Sequence, residues 1–380
     1  MIYLNNAATS LHRPRSVVAA VAEALDHLSN AGRGSDGGRD QALTITACRR
    51  KLARLFGFSH PERVIFTLNA TQALNLALFG LLQPGDGVIS TDLEHNSVLR
   101  PLYALEKQGV HLSFLPTDEK GRPRWEALDG LVEANTKAIV TTHASNLTGN
   151  VVDLYRVGRL ARERGLLLVV DAAQTAGAYP IDMEGMGIDL LAFTGHKSLL
   201  GPQGTGGLLV GPDVDLPPLI VGGTGVQSRL PAMPEDYPNH LEAGTLNGHG
   251  IAGLSAACDL LLEEGIAQIQ AREAALVTYF CEGLLDLEGL TLYGDFEGPH
   301  TGVVTINLSG LASSDLADLL QHEYGIITRA GLHCAPRMHR ALGTLEQGAV
   351  RFSIGYATTR SELSETLEAL HQIRKECPCA

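Results

Sequence analysis

The sequence predicts an α/β protein: a large domain built on a mainly parallel seven-stranded sheet covered by helices, followed by a smaller α+β domain. Three observations carry this expectation. From about Arg63 to Val210, short apolar runs alternate with helical segments, as in parallel strands buried on both faces. From Pro212 to about Thr245 the chain is rich in Pro and Gly and lacks periodicity, so it reads as loops wrapping the large domain. Beyond that stretch the order of elements changes, with a long helical pattern and then strands mixed with helices.

Residues 16–29 and 42–56 place apolar side chains at helical spacing. Seven strands are then expected at Val64–Thr67, Gly87–Thr91, His111–Leu115, Ala138–Thr142, Leu166–Val170, Leu190–Phe193 and Gly207–Val210, each a compact run rich in β-branched or apolar residues. Helices are expected between several of them, at Thr71–Leu82, Asn96–Gln108, Trp125–Glu133 and Leu154–Arg164. One long helix should run from about Ile251 to Leu285. Strands near Gly302–Leu308, Gly325–Thr328 and Val350–Ser353 and helices near Ser314–Glu323 and Ser361–Lys375 would complete the smaller domain. The division falls at residues 1–250 and 251–380, with the N-terminal segment free to pack on the smaller domain.

At 380 residues the chain can bury a large core. A formal net charge of -13 and a pI near 5.5 argue against a broad nucleic-acid or anionic-membrane footprint, which needs a basic face. No apolar run approaches the roughly 20 residues needed to cross a bilayer, and Met1-Ile-Tyr-Leu lacks the flank of a secretory signal, so a cytoplasmic protein is expected. Cys48, Cys258, Cys281, Cys334, Cys377 and Cys379 lie mostly in isolation, which suits a reducing compartment better than a disulfide framework.

Polar residues collect where the predicted strands end, and in an open parallel sheet that is where ligands sit. Asp171 closes Leu-Leu-Leu-Val-Val, Thr194-Gly-His-Lys197 closes Leu-Leu-Ala-Phe, and His143-Ala-Ser-Asn146 closes Ile-Val-Thr-Thr. Thr67-Leu-Asn-Ala-Thr-Gln72 closes Val-Ile-Phe and opens a helix, whose free N–H groups and Thr71 hydroxyl suit a phosphate. An amine able to form an imine, a carboxylate able to hold a pyridinium and a phosphate cradle together point to pyridoxal phosphate.

Each residue also has a plainer reading. Lys197 alone could be a surface lysine, Asp171 a buried helix cap and His95 a capping residue; the Lys197 and Asp171 pair is far more specific than either alone. Cys334, in Arg329-Ala-Gly-Leu-His-Cys-Ala-Pro336, differs from the helical Cys48, Cys258 and Cys281. It sits on a Gly- and Pro-bearing loop beside His333, Arg329 and Arg337, cations that would favour a thiolate. A metal site on His333, Cys334 and His339 has no second cysteine to complete a familiar zinc pattern. Gly32-Arg-Gly-Ser-Asp-Gly37 spells a dinucleotide fingerprint but follows a helix rather than a strand, and the Asn146-Leu-Thr sequon is empty in a cytosolic protein.

With these residues in view, the chain resembles the cysteine desulfurases of the class V aminotransferase fold. Tyr3-Leu-Asn-Asn-Ala-Ala-Thr9, Asn69-Ala-Thr-Gln-Ala-Leu-Asn75, Glu94-His95, His143-Ala-Ser-Asn-Leu-Thr-Gly149, Asp171-Ala-Ala-Gln174, Thr194-Gly-His-Lys197, Glu242-Ala-Gly-Thr245, the Cys334 loop and Arg351-Phe-Ser look like that family's motifs in order. Sixteen residues, 335 to 350, separate Cys334 from Arg351, so the chain is similar to the short-loop subgroup of sulfur-mobilisation desulfurases and selenocysteine lyase-like enzymes. It departs from the family pattern at Asn5, where an acidic residue is usual, and at Leu332, where relatives often carry histidine.

The resemblance implies a fold type I pyridoxal-phosphate transferase. Lys197 would hold the cofactor covalently, Asp171 would pair with its ring nitrogen, Gln174 would bond its phenolic oxygen and His95 would stack on the ring. Ala70, Thr71, Thr194 and His196 would bind the phosphate, with Thr245 reaching across from a second subunit, which implies a homodimer. Arg351 and Asn146 would hold the substrate carboxylate. The implied reaction converts L-cysteine to L-alanine, with sulfur carried on Cys334 as a persulfide toward an acceptor protein, as in iron–sulfur cluster assembly. The alternatives are a selenocysteine lyase acting on L-selenocysteine, or an aminotransferase or other lyase in which Cys334 is incidental. The tail Cys377-Pro-Cys379 reads as a frayed terminus or as a sulfur relay.

Overall fold

The computed structural model describes residues 1–29 and 36–377. Most of the Gly32–Gly37 motif and the end of the Cys377–Cys379 tail lie outside the described residues. The chain opens with a short strand, β1 (Ile2–Tyr3), and two helices, α1 (Arg15–His27) and α2 (Asp36–Leu55). The large sheet follows, as β2 (Val64–Thr67), α3 (Ala70–Leu81), β3 (Gly87–Thr91), α4 (Asn96–Glu106), β4 (His111–Leu115), β5 (Thr136–Thr142), α5 (Leu154–Glu163), β6 (Leu167–Asp171), β7 (Leu190–Thr194) and β8 (Gly206–Val210).

Its seven strands lie in the order β2-β8-β7-β6-β5-β3-β4. Every pairing is parallel except those of β8, which runs antiparallel to both neighbours. The side-chain period of two splits each strand between two cores. On β7, Leu191 and Phe193 join the apolar cluster on one face and Leu190 and Ala192 the cluster on the other. Both faces are therefore covered, which is why these strands read as unbroken apolar runs.

After the loops of 212–247 come α6 (Gly248–Glu264) and α7 (Ile266–Leu284), then β9 (Leu290–Tyr293), β10 (Val303–Leu308), α8 (Ser313–Tyr324), β11 (Ile326–Ile327), β12 (Arg329–Gly331), α9 (Pro336–Ala341), β13 (Ala349–Ser353) and α10 (Arg360–Glu376). The small domain is built on a four-stranded antiparallel sheet, β12-β13-β10-β9. The start of the chain belongs to it physically: β1 pairs in parallel with β11, Asn5 bridges to Ser353, and Ile2 and Leu4 enter the same apolar cluster as Phe280, Phe352 and Leu370. No helix among the described residues is long and apolar enough to cross a membrane.

Four expectations need correction. The single helix over 251–285 is two, broken at Gly265, which takes φ +81° and donates its N–H to Leu261 to close α6. The stretch at 125–133 is a short 3₁₀ turn, Trp125–Gly130, because its two buried anchors, Trp125 and Leu128, are three residues apart, the 3₁₀ repeat. The strand at 325–328 shortens to β11, since Gly325 is the left-handed cap of α8, and Arg329–Gly331, expected as loop, forms β12 in a different sheet. β9 has no counterpart in the sequence reading, since three half-buried residues and one exposed one make too short an alternation to register.

One glycine ties this scaffold to the loop that ends at Ser198. Gly177 has φ +91°, and a Cβ there would lie 2.3 Å from the Ser198 carbonyl oxygen and 2.7 Å from the Leu199 nitrogen. Gly165 shares the left-handed conformation, at φ +66°, but has open space around it. Gly177→Ala should therefore destabilise the protein by about 1–3 kcal/mol more than Gly165→Ala in chemical denaturation. Equal losses would show that the Ser198 backbone yields freely.

Candidate active site

The carboxyl ends of β2, β5, β6 and β7 all open on one side of the sheet, because antiparallel β8 restores the direction of β2. A cavity of about 260 Å³ lies there. It is lined by Thr142 at the end of β5, Asp171 at the end of β6, Thr194 at the end of β7, and His95 in the turn after β3. Register sets the neighbours: Thr142 pairs with Asp171, and Asp171 with Ala192, two residues before Thr194.

Lys197 lines the cavity from the turn after β7. The N-terminal segment clamps that turn: Ser10 donates its backbone N–H to the His196 carbonyl, and its hydroxyl lies 3.1 Å from the His196 and Lys197 carbonyls. Enclosure of the amine in protein lowers the Lys197 pKa to about 8, Asp171 opposing the shift and Arg351 and Arg329 adding to it. Asp171 is 3% exposed and its carboxyl pKa is raised by burial, against the Ala173 N–H at 2.9 Å and the charge of Lys197. It caps a turn and lines the cavity at once, so the plain and the functional readings coincide.

The same holds for His95. Its Nδ1 accepts the Ser97 N–H at 3.0 Å, which caps α4 and leaves the ring hydrogen on Nε2. Burial, then the charges of Lys197, Arg329 and Arg351, lower its pKa to about 4. His196, with Nδ1 3.1 Å from the Thr9 hydroxyl, is likewise lowered to about 4, chiefly by burial. Both rings present neutral imidazoles to the cavity.

A phosphorylated aromatic aldehyde fits this lining. At the start of α3, Asn69 caps the Gln72 N–H, and the first-turn N–H groups of Ala70 and Thr71 have no intrahelical partner. The Thr71 hydroxyl lies 2.8 Å from the Ser97 hydroxyl beside them. The buried Thr194 hydroxyl has no protein partner among the described residues. Donors thus gather at a helix N-terminus, as an anion requires, while the desolvated Asp171 carboxylate calls for a cation at the cavity floor. Gln174 Nε2 donates to the Ala7 carbonyl at 3.2 Å from the cavity wall.

Arg351, on β13, brings a second anion site. It is 1% exposed, yet among the described residues its guanidinium meets only neutral acceptors, the Asn146 carbonyl at 2.9 Å and Asn5 Oδ1 at 3.3 Å. Among those residues its Nε and the Asn146 Oδ1 are buried without partners. Desolvation first, then Arg329, lower its pKa to about 9. A buried cation without a counter-charge is an incomplete arrangement that a carboxylate would complete.

The cysteine loop faces the same space. His333 lines the cavity; Cys334 is not among the lining residues but lies close enough to Lys197 and Arg351 to act on both electrostatically. His333 and Cys334 occupy the left-handed region consecutively, φ +50° and +56°, at about 1–3 kcal/mol each. Asn146 Nδ2 donates to the His333 carbonyl and the Asn96 N–H to the Cys334 carbonyl, both at 2.7 Å. Two of the three neighbours expected to supply positive charge do not. Burial lowers the His333 pKa to about 3, leaving it neutral, and Arg337 is tied to Asp92 at 2.8 Å and laid over the Phe114 ring.

Of the residues singled out in the sequence, Lys197, Asp171, Gln174, His95, Ala70, Thr71, Thr194, His196, Asn146 and Arg351 line one cavity. Thr245 is exposed and lies outside it, on a segment anchored by Glu242, whose carboxylate grips Arg49 at 2.5 Å. Ser97, Asn69, Arg329 and His333 line the cavity but were not singled out as binding groups. Ser97 had a readable signal, a serine placed two residues after a candidate capping histidine. Among the described residues no group of three or more His, Cys, Asp or Glu is arranged to hold a metal ion.

Comparison with known proteins gives a consistent picture. The Aminotransferase class-V family model matches residues 2–365. A probable cysteine desulfurase of Methanothermobacter thermautotrophicus is 34% identical, over 97% of this chain and 94% of the relative. A cysteine desulfurase of Haloferax volcanii is 32% identical, over 99% and 90%. Among solved structures, the apo cysteine desulfurase of Thermococcus onnurineus superposes with a TM-score of 0.91 at 32% identity, covering 99% of this chain and 95% of that one. Escherichia coli CsdA in its S-sulfonic acid form gives 0.89 at 29%, with the same coverage.

The Lys197 environment makes a prediction that needs no ligand. In cofactor-free protein, acylation of Lys197 by a small reagent, read by peptide mass analysis, should rise about tenfold per pH unit and level off near pH 8. An ordinary lysine keeps rising to about pH 10.4. A Lys197 profile that did the same would show an amine in contact with water.

Proposed function

This chain belongs to the class-V aminotransferase family, and we infer that it is a pyridoxal-phosphate-dependent cysteine desulfurase that takes sulfur from L-cysteine onto its own Cys334. The observation that carries the reading is the convergence of a low-pKa lysine, a buried aspartate and a counter-charge-free arginine on one cavity, with a strained cysteine turn acting on the same charges.

Bound pyridoxal phosphate supplies an aldehyde that captures amino groups and a ring that takes up charge from the substrate Cα. Lys197 would hold the cofactor, and its amine, with a pKa lowered to about 8, would carry the proton away from Cα and return it. Asp171 would keep a proton on the ring nitrogen. Gln174 would bond the phenolic oxygen, and neutral His95 would stack on the ring. Ala70, Thr71, Thr194 and His196 would hold the phosphate. Arg351 and Asn146 take the substrate carboxylate, which fixes the side-chain sulfur relative to the cysteine loop.

Cys334 attacks the substrate sulfur as a thiolate. A sulfur–sulfur bond forms, the carbon–sulfur bond breaks, and its electron pair stays on Cβ, which takes a proton to become the methyl group of L-alanine. The product is a persulfide on Cys334, which an acceptor thiol can collect.

The reading extends to a homodimer, in which Thr245 reaches the partner's phosphate. Support comes from the exposed apolar run of Leu219, Ile220 and Val221, continued by Val226 and Leu230, in the loops that precede exposed Thr245. The five described cysteines are all free, in keeping with the cytoplasm. Residues 1–250 supply most of the cofactor-holding unit and 251–380 the unit that carries Cys334, with β1 packed on the second and α6 on the first. A protein acceptor and a place in sulfur supply for iron–sulfur clusters complete it.

Cys334→Ser should keep the cofactor absorbance and lower alanine formation from L-cysteine by more than about a hundredfold, with no added sulfur on that residue by mass analysis. Undiminished sulfur release by this variant would remove Cys334 from the reaction. Arg351→Lys should raise KM for L-cysteine about tenfold, the loss of one charge-assisted hydrogen bond. An unchanged KM would place the carboxylate elsewhere.

A further inference from the structure

Behind the cysteine loop runs a hydrogen-bonded chain that the reaction leaves unused. His339 on α9 and Thr344 just beyond it are 0% and 1% exposed, and neither lines the cavity. Thr344 Oγ1 lies 2.7 Å from His339 Nδ1, His339 Nε2 lies 3.5 Å from His333 Nδ1, and His333 Nε2 lies 3.0 Å from the Arg329 carbonyl oxygen.

The last contact sets every proton. A carbonyl only accepts, so His333 carries its hydrogen on Nε2. Burial keeps both imidazoles neutral, at pKa values of about 3 for His333 and about 4 for His339. His333 Nδ1 is then an acceptor, His339 donates to it from Nε2, and His339 Nδ1 accepts from the Thr344 hydroxyl. The rings are 12° from parallel with centroids 5.7 Å apart, close to the nitrogen–nitrogen distance plus two ring radii. The nitrogens therefore meet edge to edge, nearly in one plane, where lone pair and hydrogen point at each other.

We propose that Thr344 and His339 are positioning residues for sulfur transfer, whose one-directional chain of donors locks the His333 side chain, which lines the cavity, and so holds Cys334 next to it in its left-handed turn. His333 and Cys334 are not glycines, and left alone both would relax to negative φ. Asn146 and the Asn96 N–H hold the two carbonyls, but only the imidazole chain fixes the His333 ring between Arg329 and α9. Without the Thr344 hydroxyl, the His339 ring is free to turn over and withdraw its donor from His333. A buried acceptor then stands unpaired, which favours an open loop.

The inference rests on Cys334 being the sulfur nucleophile. Its test uses the holoenzyme with Thr344→Val, which keeps the shape and removes the hydroxyl, and Thr344→Ser, which restores it. Thr344→Val should lower kcat for alanine formation about ten- to a hundredfold with KM within about twofold, the effect of misplacing a reacting atom by about 1 Å. Exchange of the L-alanine Cα proton with deuterated solvent, which needs Lys197 and not Cys334, should stay at the wild-type rate, and Thr344→Ser should recover most of kcat. In cofactor-free protein, amide exchange should quicken in the segment 329–344 and nowhere else.

Wild-type kcat in Thr344→Val, a parallel fall in Cα exchange, or failure of Thr344→Ser to recover kcat would each overturn the proposal. If Thr344→Val does not fold, His339→Gln, which keeps a donor toward His333, should retain more kcat than His339→Leu; equal values would also overturn it. Sulfur transfer persisting in Cys334→Ser would instead defeat the underlying functional reading, whatever the amide exchange shows.

Discussion

A lysine amine and an aspartate carboxylate held together away from water set the terms for the rest of the molecule. Neither is stable in such a place alone, since burial drives each toward its neutral form. The protein holds both with secondary structure that cannot retreat. Asp171 terminates a central strand, and Lys197 follows directly on the next. Apolar packing on both faces of the sheet supplies the stabilisation that offsets the desolvated charges. The Ser10 clamp and the close passage of Gly177 against Ser198 remove what freedom the lysine turn would otherwise keep.

Around that pair the charge distribution is lopsided. His95, His196 and His333 are all kept neutral by burial, so the fixed cations of the cavity are Lys197, Arg329 and Arg351, against a single buried aspartate at its floor. A chain carrying a net charge of -13 therefore contains a pocket that favours anions. The contrast is local: the field inside a low-dielectric cleft follows the groups that line it rather than the total. The helix N-terminus at Ala70 and the buried Arg351 each offer that cavity a place suited to an anion.

Much of this was legible in the sequence, for a physical reason. Parallel strands buried on both faces leave long apolar runs, and polar residues at their ends, such as Asp171 and Lys197, stand out against that background. The parts that were not legible depend on contacts between distant segments. Gly265 falls within the single helix expected over 251–285, and only its positive φ reveals the break. β1 and β9 exist because partners lie beside them. The neutrality of His333 was missed because its burial comes from packing against α9, which adjacency to Cys334 does not disclose.

The pairing of β1 with β11, and of Asn5 with Arg351 and Ser353, has a consequence for how the protein is made. Ser10 steadies the lysine turn and Asn5 touches an arginine 346 positions later, so residues made early complete contacts with residues made much later. The seven-stranded sheet has all its strands by Val210 and can begin to form during translation, but the pocket stays open along one wall until β13 emerges. Competence to capture vitamin B6 and amino acid together thus waits for a strand made about 140 residues after the sheet is complete.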